Sequence, residues 1–254
     1  MSSFTSRWPA VCPSCLVALL IMALLLALPA SFAAAAAPWP RQGSLDAGFN
    51  PGSGADDSVA AIAVQPDGKV LIAGSFRHVN GVARDLVARL YPNGTLDPTF
   101  HPASDPISST RLYAVLVQPD GKIVIGGAFS KYNNVALNSI ARFNPDGSVD
   151  ATFNIGDGVR GDVLAMVRQP DGKLLVGGWF DLYNGVARAQ PNGALDASFD
   201  PGAGADDLIE AMVLQRDGKV LIGGDFTSYD NVGRNRIARL WGPAFVYLPA
   251  VRRR

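Results

Sequence analysis

The residues with catalytic or ligating potential are few and widely spaced. Among 254 residues there are two histidines, His78 and His101, and a single glutamate, Glu210. A metal centre draws three or four His, Cys, Asp or Glu ligands from short, recognisable spacings. These residues offer none, so the histidines read as loop residues. Eight aspartates recur with an internal period: Asp67, Asp120, Asp171 and Asp217 before turn glycines, and Asp46, Asp97, Asp150 and Asp196 in Leu-Asp-x-x-Phe-type segments. Repeated placement points to turn and loop hydrogen bonding. Hydrolysis of a polysaccharide needs two carboxylates flanking one bond, and Glu210 is the only unrepeated acid on an expected strand. The sequence therefore assigns no catalytic, cofactor-binding or metal-ligating residue, and no cofactor.

Other patterns have competing structural readings. Gly54-Ala55-Asp56-Asp57, Gly204-Ala205-Asp206-Asp207 and Gly156-Asp157-Gly158 place carboxylates on loops, but none is a twelve-residue calcium loop with its terminal Glu. Arg160-Gly161-Asp162 spells an adhesion tripeptide where the first repeat reads Asp56-Asp57-Ser58, so substitution within a repeat accounts for it. Asn93-Gly94-Thr95 is a glycosylation sequon that also fills a hairpin turn. The variable position of a small-Gly-x-Phe element is held by Ser75, Ala128, Trp179 and Asp225, differing in each repeat while its neighbours do not. A solvent-facing Trp179 at the end of its apolar run would stack on a sugar or a partner. Trp179 and Asp225 are the candidate ligand-binding residues; the competing place for Trp179 is the core.

These residues sit on a repeated frame. Gln65-Pro66-Asp67-Gly68-Lys69 returns at 118–122, 169–173 and, with Arg216 for proline, 215–219. Each copy precedes an apolar run ending in small-Gly-x-Phe, and a Gly-x-hydrophobic-Asp-x-x-Phe element stands at 43–49, 94–100, 147–153 and 193–199. Three elements in one order mark a repeat architecture. Pro-Asp-Gly suits a type I turn followed by a left-handed glycine, which closes a hairpin. Upstream of it alternate positions such as Val59 and Ala61 are apolar, the period of a strand with one demanding face. Downstream, Val70-Leu71-Ile72 and its counterparts are continuously apolar, as in strands covered on both faces.

About four antiparallel strands in roughly 50 residues make one propeller blade. The expected fold class is all-β: a four-repeat β-propeller over residues 41–242 with the third blade truncated. Residues 184–193 are five fewer than either 80–94 or 133–147, so the third strand of that repeat is expected to be frayed or absent. The fourth repeat stops without its own fourth strand, while 43–49 is a fourth strand with no blade before it. Pairing them would close the ring within one chain and hide two sheet edges. The alternative is an open arc of blades completed by another copy.

The two ends differ from the body. Arg7, an uninterrupted apolar run over 16–28, Pro29 and small residues at 33–37 form a signal-peptide pattern, so residues 1–37 are expected to be removed. That run is shorter than the ~20 residues of a membrane span, and no span is expected in the mature chain. Cys12 and Cys15 fall within the removed segment. Residues 243–254 form a C-terminal tail ending in three arginines. Between the ends the body holds 18 Lys+Arg against 22 Asp+Glu. A nucleic-acid binder would carry the opposite imbalance.

The chain resembles the delta-60 repeat family. The resemblance rests on the Gln-Pro-Asp-Gly-Lys hairpin, the Gly-Gly-x-Phe strand end, Ile-Ala-Arg-Leu at 237–240 and the Gly-Ser-Leu-Asp-x-x-Phe segment at 43–49. It covers residues 43 to 241, departing at Arg216, at Leu86-Val87-Ala88-Arg89 and in the short third repeat. It implies a β-propeller-like fold in an exported bacterial protein, and no activity or site residues. The function expected is that of a secreted or cell-surface, non-catalytic scaffold or binding module with an unknown protein or glycan ligand. The alternatives are a propeller enzyme acting on polysaccharide and a structural or adhesive envelope protein.

Overall fold

The computed structural model describes residues 41–102, 110–132, 135–156, 159–180 and 184–242. The expected signal peptide, both cysteines, Asp157 and the C-terminal tail lie outside the described residues. The chain divides into two compact units, Met1–Asp46 and Ala47–Arg254. Every described strand lies in the second unit, and the described residues contain no helix.

Each repeat builds one three-stranded antiparallel sheet. The first strands are Val59–Val64, Arg111–Val117, Gly161–Arg168 and Ile209–Leu214. The second strands, Val70–Gly74, Ile123–Ala128, Leu174–Phe180 and Val220–Gly224, take the centre of each sheet, and the third strands, Val87–Leu90, Ile140–Phe143, Val186–Ala189 and Ile237–Leu240, flank them. The expected hairpin turns form. Gly68 holds φ at 82°, its amide donates to the Gln65 carbonyl at 2.9 Å, and Asp67 Oδ1 accepts the Lys69 amide at 3.1 Å.

One residue is extra in every first strand. The pairing slips between Val59 and Ala61, Leu112 and Ala114, Val163 and Ala165, and Ile209 and Ala211, a β-bulge at Ala60, Tyr113, Leu164 and Glu210. The bulge explains the second residue of small-Gly-x-Phe. A Cβ on Gly74 would overlap the Ser58 carbonyl, and one on Gly127 the Arg111 carbonyl.

Two strand expectations change. The fourth strand of the repeat reduces to one antiparallel bridge, Leu90 to Leu96 in the first repeat, Phe143 to Val149 in the second and Ala189 to Leu195 in the third. In the third repeat the third strand is present after all, with Val186–Ala189 fully paired to Leu174–Gly177. The shortening falls where the other repeats form a small two-stranded hairpin, His78–Val79 with Val82–Ala83, Lys131–Tyr132 with Val135–Ala136, and Ser228–Tyr229 with Val232–Gly233; among the described residues the third repeat shows none. Val186-Ala187-Arg188-Ala189 carries the same apolar-small-Arg-apolar pattern as the other third strands, so it takes their place. The other third strands follow a left-handed Leu86, Ser139 or Arg236, and here Gly185 supplies that conformation at φ 80°.

The sheets stack through alternating faces of the continuously apolar second strands. Leu71 and Ala73 meet Leu112, Ile123 and Ile125 of the second blade; Val124 meets Val163, Leu174 and Val176 of the third; Leu175 meets Ile209, Val220 and Ile222 of the fourth. The first blade's other face carries its own cluster of Ile72, Phe76, Val79 and Leu90, against which Phe49 packs.

The expected closure within one chain is not formed, and the blades make an open row of four. Residues 41–50 contain no strand, Leu45 is 92% exposed, and Ile62 and Ile237 on the two end blades are 66% and 61% exposed. Within a repeat a four-residue turn delivers Leu96 to Leu90. Bringing the first and fourth blades together requires instead that the rotation accumulated over the three blade interfaces complete a ring, which it does not do in this row.

Candidate functional site

The repeating aspartates of Leu-Asp-x-x-Phe are structural, and more deeply so than a surface turn. Asp97 is fully buried. Its Oδ1 accepts the Thr99 amide and hydroxyl at 2.8 and 2.7 Å; its Oδ2 accepts Arg89 Nε at 2.8 Å and pairs with Lys69 Nζ at 3.1 Å. Asp150 meets Thr152, Arg142 and Lys122 in the same way, and Asp196 meets Ser198, Arg188 and Lys173. Burial alone would raise these carboxyls, but the converging hydrogen bonds outweigh it and hold all three well below the usual carboxylate range.

Each arginine also stacks on the phenylalanine of its own segment, Arg89 on Phe100 at 4.8 Å and Arg142 on Phe153 at 4.7 Å. Both then reach the next blade, donating to the Pro145 and Pro191 carbonyls at 2.6 and 2.7 Å. The Lys of the hairpin motif, the Asp and Phe of the Leu-Asp-x-x-Phe segment and the third-strand Arg thus meet at one point and pin strand, turn and neighbouring blade together. Spacing alone did not reveal this clamp.

Of the loop carboxylates, Asp56 and Asp206 are likewise engaged by the frame. Asp56 Oδ1 accepts the Arg77 and His78 amides at 2.8 and 2.9 Å, and Oδ2 meets His78 Nδ1 at 2.8 Å. The His78 amide bond comes first among the contacts that lower Asp56 to about 2. In the fourth blade Asp206 does the same for Thr227 and Ser228, with the Thr227 hydroxyl bond lowering it to about 2. Serine replaces histidine there and the Thr227 hydroxyl takes the second oxygen in place of the imidazole, so the Asp56–His78 pair, like Asp206, holds a hairpin to a loop. Asn93 accepts the Thr95 amide at 3.0 Å, as a turn residue should. Among the described residues no three His, Cys, Asp or Glu side chains converge as metal ligands.

What the frame leaves over lies at the ends of the second strands. Trp179 is 69% exposed, which settles its competing place in the core: the strand Leu174–Phe180 carries it out to the tip, where it pairs in register with Asp162. Beside it runs a cleft between the third and fourth blades lined by Asn184, Gly185, Ala205, Asp206 and Asp207. The matching notch one blade back is lined by Ala128, Asn138 and Arg160-Gly161-Asp162. Gly161 is set at φ 135° with its α-carbon against the Trp179–Phe180 backbone, so the tripeptide's glycine is imposed by the sheet.

Asp225 occupies the equivalent position in the fourth blade and is not brought to Trp179. Its carboxylate takes a hydrogen bond from Arg236 at 2.5 Å and stays half exposed. Glu210 is the exposed bulge residue of the fourth blade. The arrangement offers an aromatic platform, carboxylates and an amide at a blade tip, which suits recognition of a polyhydroxylated or peptide surface.

Four stretches, 65–100, 118–153, 169–199 and 215–242, match the DUF5122 β-propeller, a domain of unknown function, and the chain belongs to that family. No curated protein matches the chain. Among solved structures it is similar to the extracellular domain of BT4673 from B. thetaiotaomicron, with 13% identity and a TM-score of 0.47 over 72% of this chain and 21% of that one. It is similar to a protein of unknown function from Bacteroides caccae, with 18% identity and a TM-score of 0.44 over 72% and 60%. It is also similar to a gluconolactonase from Xanthomonas campestris, with 16% identity and a TM-score of 0.42 over 72% and 62%. The chain therefore spans less than two thirds of the length of each.

Proposed function

We propose that this protein is an exported, non-catalytic β-propeller scaffold that binds a glycan or protein surface at the tips of its third and fourth blades. The observation that carries the reading is the exposure of Trp179. A large indole left in water at a blade tip, flanked by Asp162, Asn184 and Asp207, has no role in the core, and such aromatic surfaces serve recognition. A ligand lying along the two tips meets the Trp179 face first and the half-exposed Asp225 one blade on. The signal-peptide pattern of residues 1–37 supports export, and the repeat pattern supports the finer naming as a delta-60 repeat protein. No helix among the described residues is long and apolar enough to cross a membrane. The test is a glycan and surface-protein array probed with the wild-type chain and Trp179→Ala. Retention on a defined class of spots that Trp179→Ala loses supports the proposal; equal retention by both chains overturns it.

A further inference from the structure

The two end faces of the row are complementary halves of the interface that already joins its blades. At each internal interface two apolar residues of a first strand enter a small-residue socket on the second strand of the preceding blade. Val163 and Met166 fill the space over Gly126, where a Cβ would come within 2.6 Å of Val163. Ile209 and Met212 do the same over Gly177, where a Cβ would come within 2.7 Å of Ile209. In the first blade the knob positions are Val59 and Ile62. They are 40% and 66% exposed, whereas Leu112, Val163 and Ile209, the counterparts of Val59, are fully buried.

The socket at the other end is empty to match. A Cβ on Gly223 would meet only the Arg236 carbonyl, at an ordinary 3.6 Å. Ile237 beside it is 61% exposed, while Val87, Ile140 and Val186 in the same position are fully buried. Arg239 takes the place of Arg89, Arg142 and Arg188, each of which stacks on a phenylalanine at the interface; among the described residues Arg239 makes no such contact. Phe49 packs on the outer face of the first blade among Phe76, Val79 and Leu90, as Phe100 packs among Phe129, Tyr132 and Phe143 of the second.

We propose that the fourth blade binds the first blade of a second copy of this chain, with Val59 and Ile62 of one copy over Gly223 of the other and Arg239 stacked on Phe49. The occupant is a second copy because the missing surface is a repeat-type first blade, and the chain carries an exposed one of the right pattern. Such a head-to-tail contact closes a ring when its rotation allows and otherwise extends. Two copies give eight blades, at the top of the usual range of about four to eight.

The experiment is sedimentation velocity on the full chain, wild type and variants. Ile62→Asp spoils the knob, and Gly223→Leu blocks the socket while its Cβ enters open space, so both chains should fold. Wild type is expected at twice the chain mass or more at micromolar concentration, and each variant alone at least tenfold weaker in association. An equimolar mixture of the two variants retains one good knob and one good socket, and is expected to recover a pair of one copy each. A wild-type chain that sediments as a single copy overturns the proposal, whether its own ends close or its tail covers the fourth blade. Variants that associate like wild type overturn it equally.

Discussion

Removing the carboxylate of Asp150 tests the clamp that joins the blades. Asp150 is buried and holds Arg142 Nε at 2.8 Å, Lys122 Nζ at 2.7 Å and the Thr152 hydroxyl at 2.6 Å. Asp150→Ala leaves the buried Arg142 guanidinium without its counter-charge, and breaking a buried pair from one side costs about 3–5 kcal/mol. With a urea slope of about 2 kcal/mol/M, that displaces the unfolding midpoint by about 2 M. Asp217 is the control: it pairs with Lys219 at the same 2.8 Å but is half exposed, and Asp217→Ala should leave the midpoint in place. Circular dichroism of wild type and both variants reads the difference. Acid supplies the sign. The folded carboxyl of Asp150 lies below its unfolded value of about 3.9, so its contribution is present above that pH and fades as pH falls further. The gap between wild type and Asp150→Asn should be widest at neutral pH and narrow below about pH 4. A midpoint shift for Asp150→Ala no larger than for Asp217→Ala, or a gap indifferent to acid, would refute the reasoning.

Glycine substitutions separate filled from empty sockets. Gly177→Ala drives a methyl into Ile209 and Met212 and should cost about 1–3 kcal/mol by urea unfolding, whereas Gly223→Ala meets only the Arg236 carbonyl, at an ordinary 3.6 Å, and below the concentration of association should stabilise the single chain by about 0.5–1 kcal/mol. Gly161→Ala forces a side chain to φ 135° against the Trp179 carbonyl, so its midpoint should fall while Trp179→Ala, cut from solvent, leaves the midpoint unchanged. Asp206→Ala removes the acceptor of the Thr227 and Ser228 amides, and hydrogen exchange should speed up at residues 227–233 with the sheets unaffected.

The repeat period, the turn chemistry and the two-faced apolar strands were readable from residues because each is a local rule. Pro-Asp-Gly has one good backbone solution, and Val70-Leu71-Ile72 needs cover on both sides wherever it lies. The third repeat misled because Val186-Ala187-Arg188 fits two places in the pattern, and only its pairing with Leu174–Gly177 shows which one it takes. The clamp stayed hidden because Lys122, Arg142 and Asp150 meet only once three strands and a turn have folded. Closure was unreadable for a different reason: it depends on the angle accumulated over three interfaces, which no single residue encodes. At the candidate site, the variable position of small-Gly-x-Phe pointed to Trp179 as the residue to examine, while the carboxylates around it come from the paired strand of its own blade, Asp162, and from the loop of the next, Asp206 and Asp207, which no spacing joins to it.

The claim that Trp179 is a ligand platform meets its most direct test in calorimetry. The oligosaccharide or peptide retained most strongly on the array is titrated into wild type, Trp179→Ala and Asp225→Ala. Truncating an anchoring aromatic costs about 2 kcal/mol or more, so Trp179→Ala should bind about thirtyfold more weakly. Asp225→Ala should weaken binding by a smaller factor, since its carboxylate already serves Arg236. Affinity for Trp179→Ala equal to that of wild type would contradict the account.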